Sequence, residues 1–189
     1  MLKLSWDLFV IVIFAVIVAY SFIIGKNNTI KVIIGSYIAI LTADALGNLF
    51  KTYVLSSKET VIFLKFFGMS NEDQTMILLK VLVFIGAIII IAIKGEFEVH
   101  AKAHHGLVEM VMNFIFGFLS AGLVISTLLI YASGASFVSG NINIVNNALA
   151  TAYKESDMVK LMINNYNIWF ALPAVTFLLS SLFNKKQAI

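Results

Sequence analysis

From Leu8 to Gly25 the chain runs without a charged side chain, between Asp7 and Lys26. A bilayer's hydrocarbon core is about 30 Å thick and takes roughly 20 helical residues to cross. Water cannot satisfy backbone N–H and C=O groups there, so only helices and closed barrels span it. This run is continuously apolar and lacks the alternation of a barrel strand. It reads as a membrane helix. Lys3 in front of it resembles the start of a secretory leader, but the apolar stretch outlasts a usual leader core and ends without an A-x-A-like site. The expectation is a first span, not a cleaved leader.

Similar runs recur along the chain. The spacing predicts spans over 8–25, 32–50, 75–93 and 107–132. A fifth run, 168–183, holds the single proline, Pro173. It is short for a crossing and reads either as a span or as a re-entrant or interfacial helix. Lys26, Asn27, Asn28 and Thr29 read as a short polar turn between the first two spans. Two mixed stretches, 57–67 and 148–165, set apolar residues against charges and read as amphipathic helices lying in the interface. Gly95 to Gly106 is a polar connector, and Ser133 to Asn147 is rich in Ser, Gly and Asn.

Composition agrees with that reading. Of 189 residues, 60% are hydrophobic and 12% charged, with mean hydropathy +0.96. A soluble domain carries roughly 25% charged residues, so this chain has too little polar surface to coat a globule. The fold class expected is a single all-α integral membrane domain, a bundle of four or five transmembrane helices with one or two interfacial helices.

The 13 basic residues are all lysine. Without arginine the chain lacks the bidentate fork suited to phosphate, and its lysines are scattered, so nucleic acid is not an expected partner. The expected partners are the lipid bilayer, further copies of the chain and other membrane proteins. The absence of cysteine excludes disulfides and thiolate chemistry. Lysine placement leaves orientation open. Lys26, Lys31, Lys94, Lys102, Lys185 and Lys186 fall on one side, and Lys3, Lys51, Lys58, Lys65, Lys154 and Lys160 on the other, a tie under the positive-inside rule.

Three groups of polar residues stand out. Asp44 lies inside the second span, where an ionisable side chain is paired or lines a cavity. Lys80, in the third span, falls in the same half of the bilayer. Tyr37, Asp44, Asn48 and Lys51 share one helical face. Asp44, Lys80, Tyr37 and Asn48 thus mark either an ion or proton path, or a structural pair of Asp44 with Lys80, or a lysine that snorkels to the border. In the fourth span Asn113, Gly117, Ser120 and Ala121 form a small and weakly polar stripe, suited to close helix packing and, less readily, to a pore lining. In the connector, Glu96, His100 and His104 recur at four-residue spacing. They would share a helix face and could hold zinc or a similar ion, or simply form a solvated connector. No phosphate loop, zinc-protease motif or nucleophile elbow is present, and no cofactor is expected.

The layout resembles the colicin V production protein family of small bacterial inner-membrane proteins over about residues 5–130. The resemblance rests on Asp7 before the first span, Gly25 closing it, Thr29-Ile30-Lys31 opening the second, and the glycine-spaced Gly117-Phe118-Leu119-Ser120-Ala121-Gly122-Leu123-Val124-Ile125. The chain departs from the family pattern at Thr29, where a second glycine is usual, and at Ser120, where a basic residue is usual. The resemblance implies a bacterial cytoplasmic membrane, a role in export or envelope homeostasis, and a first turn on the cytoplasmic side. It brings no catalytic residue. The function expected is a non-enzymatic membrane subunit that assembles with itself or with other proteins. The alternatives are a small ion or proton channel or transporter built on Asp44, and a metal-binding sensor built on His100 and His104.

Overall fold

A computed structural model describes residues 5–54, 72–95, 99, 106–137 and 147–184. Among them the chain forms six helices: α1 Trp6–Tyr53, α2 Glu72–Lys94, α3 Leu107–Ala132, α4 Asn147–Glu155, α5 Asp157–Asn164 and α6 Tyr166–Asn184. The protein is an all-α membrane bundle. Three of its helices, α1, α2 and α3, are long and apolar enough to cross a bilayer. Large apolar side chains cover their outer faces: Ile23 is 82% exposed, Ile93 73% and Val16 61%. A continuous apolar surface of that kind marks contact with lipid or with other proteins.

Helix α1 is two arms. Its backbone leaves the helical region at Gly25, with φ 78° and ψ 169°. Before Gly25, the first arm runs antiparallel to α3: Phe22 meets Phe114, Ser21 lies against Gly117, and Val10 packs in one cluster with Ile125. After it, the second arm runs parallel to α3, with Ile30, Ile40, Phe116, Leu123 and Tyr131 in a second cluster and Tyr131 bonded to Ile40. The chain therefore reverses at one residue. No atom lies within 4 Å of where a Gly25 Cβ would sit, so glycine is required by the backbone angle and not by space.

This corrects the polar turn expected at Lys26 to Thr29, because those residues are helical. A helix that ends abruptly leaves its last carbonyls without donors. Here the second arm supplies them. The Thr29 hydroxyl points its one proton between the carbonyls of Gly25 at 2.9 Å and Ser21 at 3.2 Å, and Asn28 Nδ2 donates to Ile24 at 2.9 Å. Donors from the second arm thus reach the end of the first without an intervening loop.

Helix α2 returns antiparallel to the second arm. Gly35 lies against Ile91 and Gly47 against Lys80. Lys31 Nζ donates to the Gly95 carbonyl just past the end of α2, where a cation complements the helix dipole. Helix α3 is central. Its second half is buried on nearly all sides, from Phe116 to Tyr131.

The amphipathic stretch expected over 148–165 is two helices. They are split at Ser156, whose hydroxyl accepts from Val159 N–H at 3.0 Å as an N-cap. Both turn a buried face inward: Leu149 and Ala152 of α4, and Val159, Met162 and Ile163 of α5, pack in one cluster with Val10 and Ile125. Helix α6 follows at once and carries Pro173 in its interior. The other expected interfacial helix, 57–67, lies outside the described residues, as do Glu96, His100 and His104.

Candidate functional site at a buried ion pair

Asp44 on the second arm of α1 and Lys80 on α2 meet at 2.9 Å. Asp44 is 1% exposed and Lys80 7%. A lone charge at this depth costs about 2.5–3.5 kcal/mol on insertion scales, and the contact neutralises both. Gly47 makes room for it. It stands one turn beyond Asp44, and a Cβ there would sit 2.8 Å from Lys80 Cε. Its spacing of three from Asp44 is the sequence signal for that role.

Aromatic rings close the site. Lys80 Nζ lies 5.7 Å from the Tyr131 ring centroid, within the range of a cation–π contact. The Tyr131 hydroxyl donates to the Ile40 carbonyl at 3.0 Å, one turn before Asp44. Phe84 packs edge-on against Tyr131 at 5.8 Å, and Phe137 does so at 5.9 Å.

The structure does not bring the remaining candidates of this face to the pair. Tyr37 donates its hydroxyl to the Phe170 carbonyl of α6, and its ring packs edge-on against Phe170 at 5.0 Å. A proline inside a helix has no N–H to offer the carbonyl four residues back; for Pro173 that carbonyl belongs to Trp169, one residue before Phe170. Tyr37 is thus a tether between helices. Asn48 is exposed.

The packing candidates fall inside the bundle. A Cβ at Gly117 would touch Ser21 Cβ at 3.0 Å. Ala121 is fully buried and Ser120 is 1% exposed. Ser120 Oγ and Asn113 Oδ1 are buried and find no hydrogen-bond partner among the described residues. The tightest small-residue contact is at Gly122, where a Cβ would come within 2.0 Å of Trp169 Cε3. Spacing along one helix sets Gly117 with Ala121 but does not mark Gly122 as a contact, because its large partner lies forty-seven residues away on another helix.

Asp7 has a structural role. Its Oδ1 accepts from the Ser156 hydroxyl at 2.6 Å and from Met158 N–H at 3.0 Å. A carboxylate at the start of a helix satisfies its free donors and complements its dipole, so Asp7 pins α5 to the start of the first arm. Further in, Ser126 Oγ donates to the Met162 carbonyl at 2.9 Å, near the end of α5.

The site as a whole can neutralise charge and lock three helices together. No protein-family model matches the chain, and no curated protein or solved structure matches it either.

Proposed function

We propose that the chain is a non-enzymatic, multi-pass membrane subunit that assembles with itself or with other membrane proteins. On this reading the two arms of α1, together with α2 and α3, make four crossings, and α6 is a fifth, shorter apolar element. The observation that carries the reading is the closed Asp44–Lys80 bridge. Its charges face each other, and elsewhere in the bundle the hydroxyls of Tyr37, Ser126 and Tyr131 donate to backbone carbonyls of other elements. Polar groups used in this way hold helices together. The resemblance to the colicin V production family, over its short motifs, supports a bacterial cytoplasmic membrane and a role in export or envelope homeostasis.

The test is purification of the full chain in mild detergent, with mass analysis of the intact particle. A fixed ratio of copies, or of this chain to other membrane proteins, is the expected result. A solitary monomer at every detergent concentration would overturn the proposal.

A second reading, a small ion or proton pathway through Asp44, has one observation in its favour: a carboxylate held inside an apolar bundle. Asp44→Asn separates the two readings. Loss of flux in vesicles with the particle intact supports a pathway, and loss of the particle without measurable flux in the parent supports the subunit.

A further inference from the structure

Between the first arm of α1, α3 and α5 lies a groove of about 370 Å³, within the range of roughly 300–1,000 Å³ typical of small-molecule sites. Ile11 and Ala15 of α1, Phe118 of α3, and Leu161 and Met162 of α5 line it, and Trp169 of α6 forms a wall. No lining residue is charged. One end lies a single turn from Asp7 and its bonds to α5. Trp169 packs 6.3 Å from Phe14, which at 1.5 Å per residue places it roughly 10 Å further along the arm than Asp7. The groove thus runs from the polar border inward. It also opens sideways, because Ile11 is 45% exposed, Phe118 39% and Leu161 44%.

We propose that this groove seats one acyl chain of a membrane phospholipid. The inference rests on placement in a bilayer and not on assembly with partners. A lining without charge suits an occupant with no polar group along its length. The rim is continuous with the apolar outer surface of the bundle, where the free apolar molecules are lipid tails. Met158 and Met162 line the groove, and unbranched thioethers adapt to a chain that changes conformation. At the polar end, Lys160 and Asp157 pair at 3.0 Å on the exposed side of α5. They present both signs of charge, which complements a zwitterionic headgroup.

Trp169 provides the readout. The chain has two tryptophans, so Trp6→Phe leaves Trp169 as the sole indole. The full-length variant is reconstituted in vesicles of dioleoyl phosphatidylcholine, and separately in phosphatidylcholine brominated at mid-chain, which quenches indole emission only near contact. Emission from Trp169 is expected to fall severalfold in the brominated vesicles. Ala15→Phe, added at an exposed position in the groove, is expected to restore most of it. If Ala15→Phe does not reconstitute, Leu161→Phe from the facing wall carries the same expectation. Unchanged emission in brominated lipid would overturn the proposal, as would quenching that neither variant relieves. Disulfide-linked dimers through Ile11→Cys in place of quenching would show a second copy in the groove, and would also overturn it. The quench is read whether or not the chain co-purifies with partners, so the two proposals fail separately.

Discussion

The two flanks of α3 are held by different means. Toward the second arm of α1 and α2, the contact is polar at its centre, where Tyr131 bonds to Ile40 and lies beside Lys80 of the Asp44–Lys80 bridge. Toward the first arm and α6, it is made by close approach at glycines: Gly117 on Ser21, and Gly122 beneath the Trp169 ring. In hydrocarbon the hydrophobic effect does not drive helices together, which leaves close packing and hydrogen bonding. Hydrogen bonding and charge dominate one flank, and close packing the other, with Ser126 on Met162 as a polar contact on the packed side. The polar flank is specific because a charge has few acceptable positions. The packed flank is specific because two surfaces must approach within van der Waals distance.

The largest expected break is on the polar flank. Asp44→Ala leaves Lys80 buried without its counter-charge, at a cost of about 3–5 kcal/mol, read as lost unfolding free energy in detergent. The double change Asp44→Leu with Lys80→Met is expected to recover most of that loss. A single substitution no more costly than one on the lipid face would show that the bridge does not hold α1 to α2.

On the packed flank, Gly122→Leu drives a side chain into the Trp169 ring. Overpacking of this kind costs about 3 kcal/mol at the upper end of its usual range. Pairing it with Trp169→Ala is expected to relieve part of the loss, and proteolysis near α6 reports the difference. Failure of the pair to couple would place the constraint elsewhere.

Gly25→Ala tests the hinge that puts the two arms on opposite flanks. The strain is about 2 kcal/mol for a side chain in a region of backbone angles occupied almost only by glycine. Because nothing beyond the local backbone lies within 4 Å of the missing Cβ, Gly25→Ala should lose about this strain and no more. A much larger loss of unfolding free energy in detergent would mean that space matters there after all.

The smallest effect sharpens the comparison. Tyr131→Phe removes a hydroxyl bonded to a carbonyl inside a helix, and such interhelical bonds average about 0.6 kcal/mol in membranes. Thermal unfolding of this variant should fall well short of Asp44→Ala, which would assign the strength of the polar flank to the ion pair.

Much of this was legible in advance. Asp44 and Lys80 could be paired from depth alone, since one span ends on the side where the next begins. Gly117 and Ala121 could be named from spacing on one helix. Tyr37 and Asn48 could not be separated from Asp44 by periodicity, because a shared face says nothing of what stands opposite. The structure sends Tyr37 to the backbone of α6 and leaves Asn48 exposed. Likewise Asp7 was legible as a border residue but not as the carboxylate that pins α5, and its donors lie 149 and 151 residues away.

By itself the sequence determined the solvent and, from it, the fold class. Long runs without charge need hydrocarbon around them, and hydrocarbon demands that each backbone satisfy itself as a helix. Tertiary structure alone decided that one glycine suffices to reverse the chain, that Ser156 divides an amphipathic stretch in two, and that Gly122 lies beneath Trp169. Those outcomes depend on which groups meet across helices, and neither periodicity nor composition carries that information.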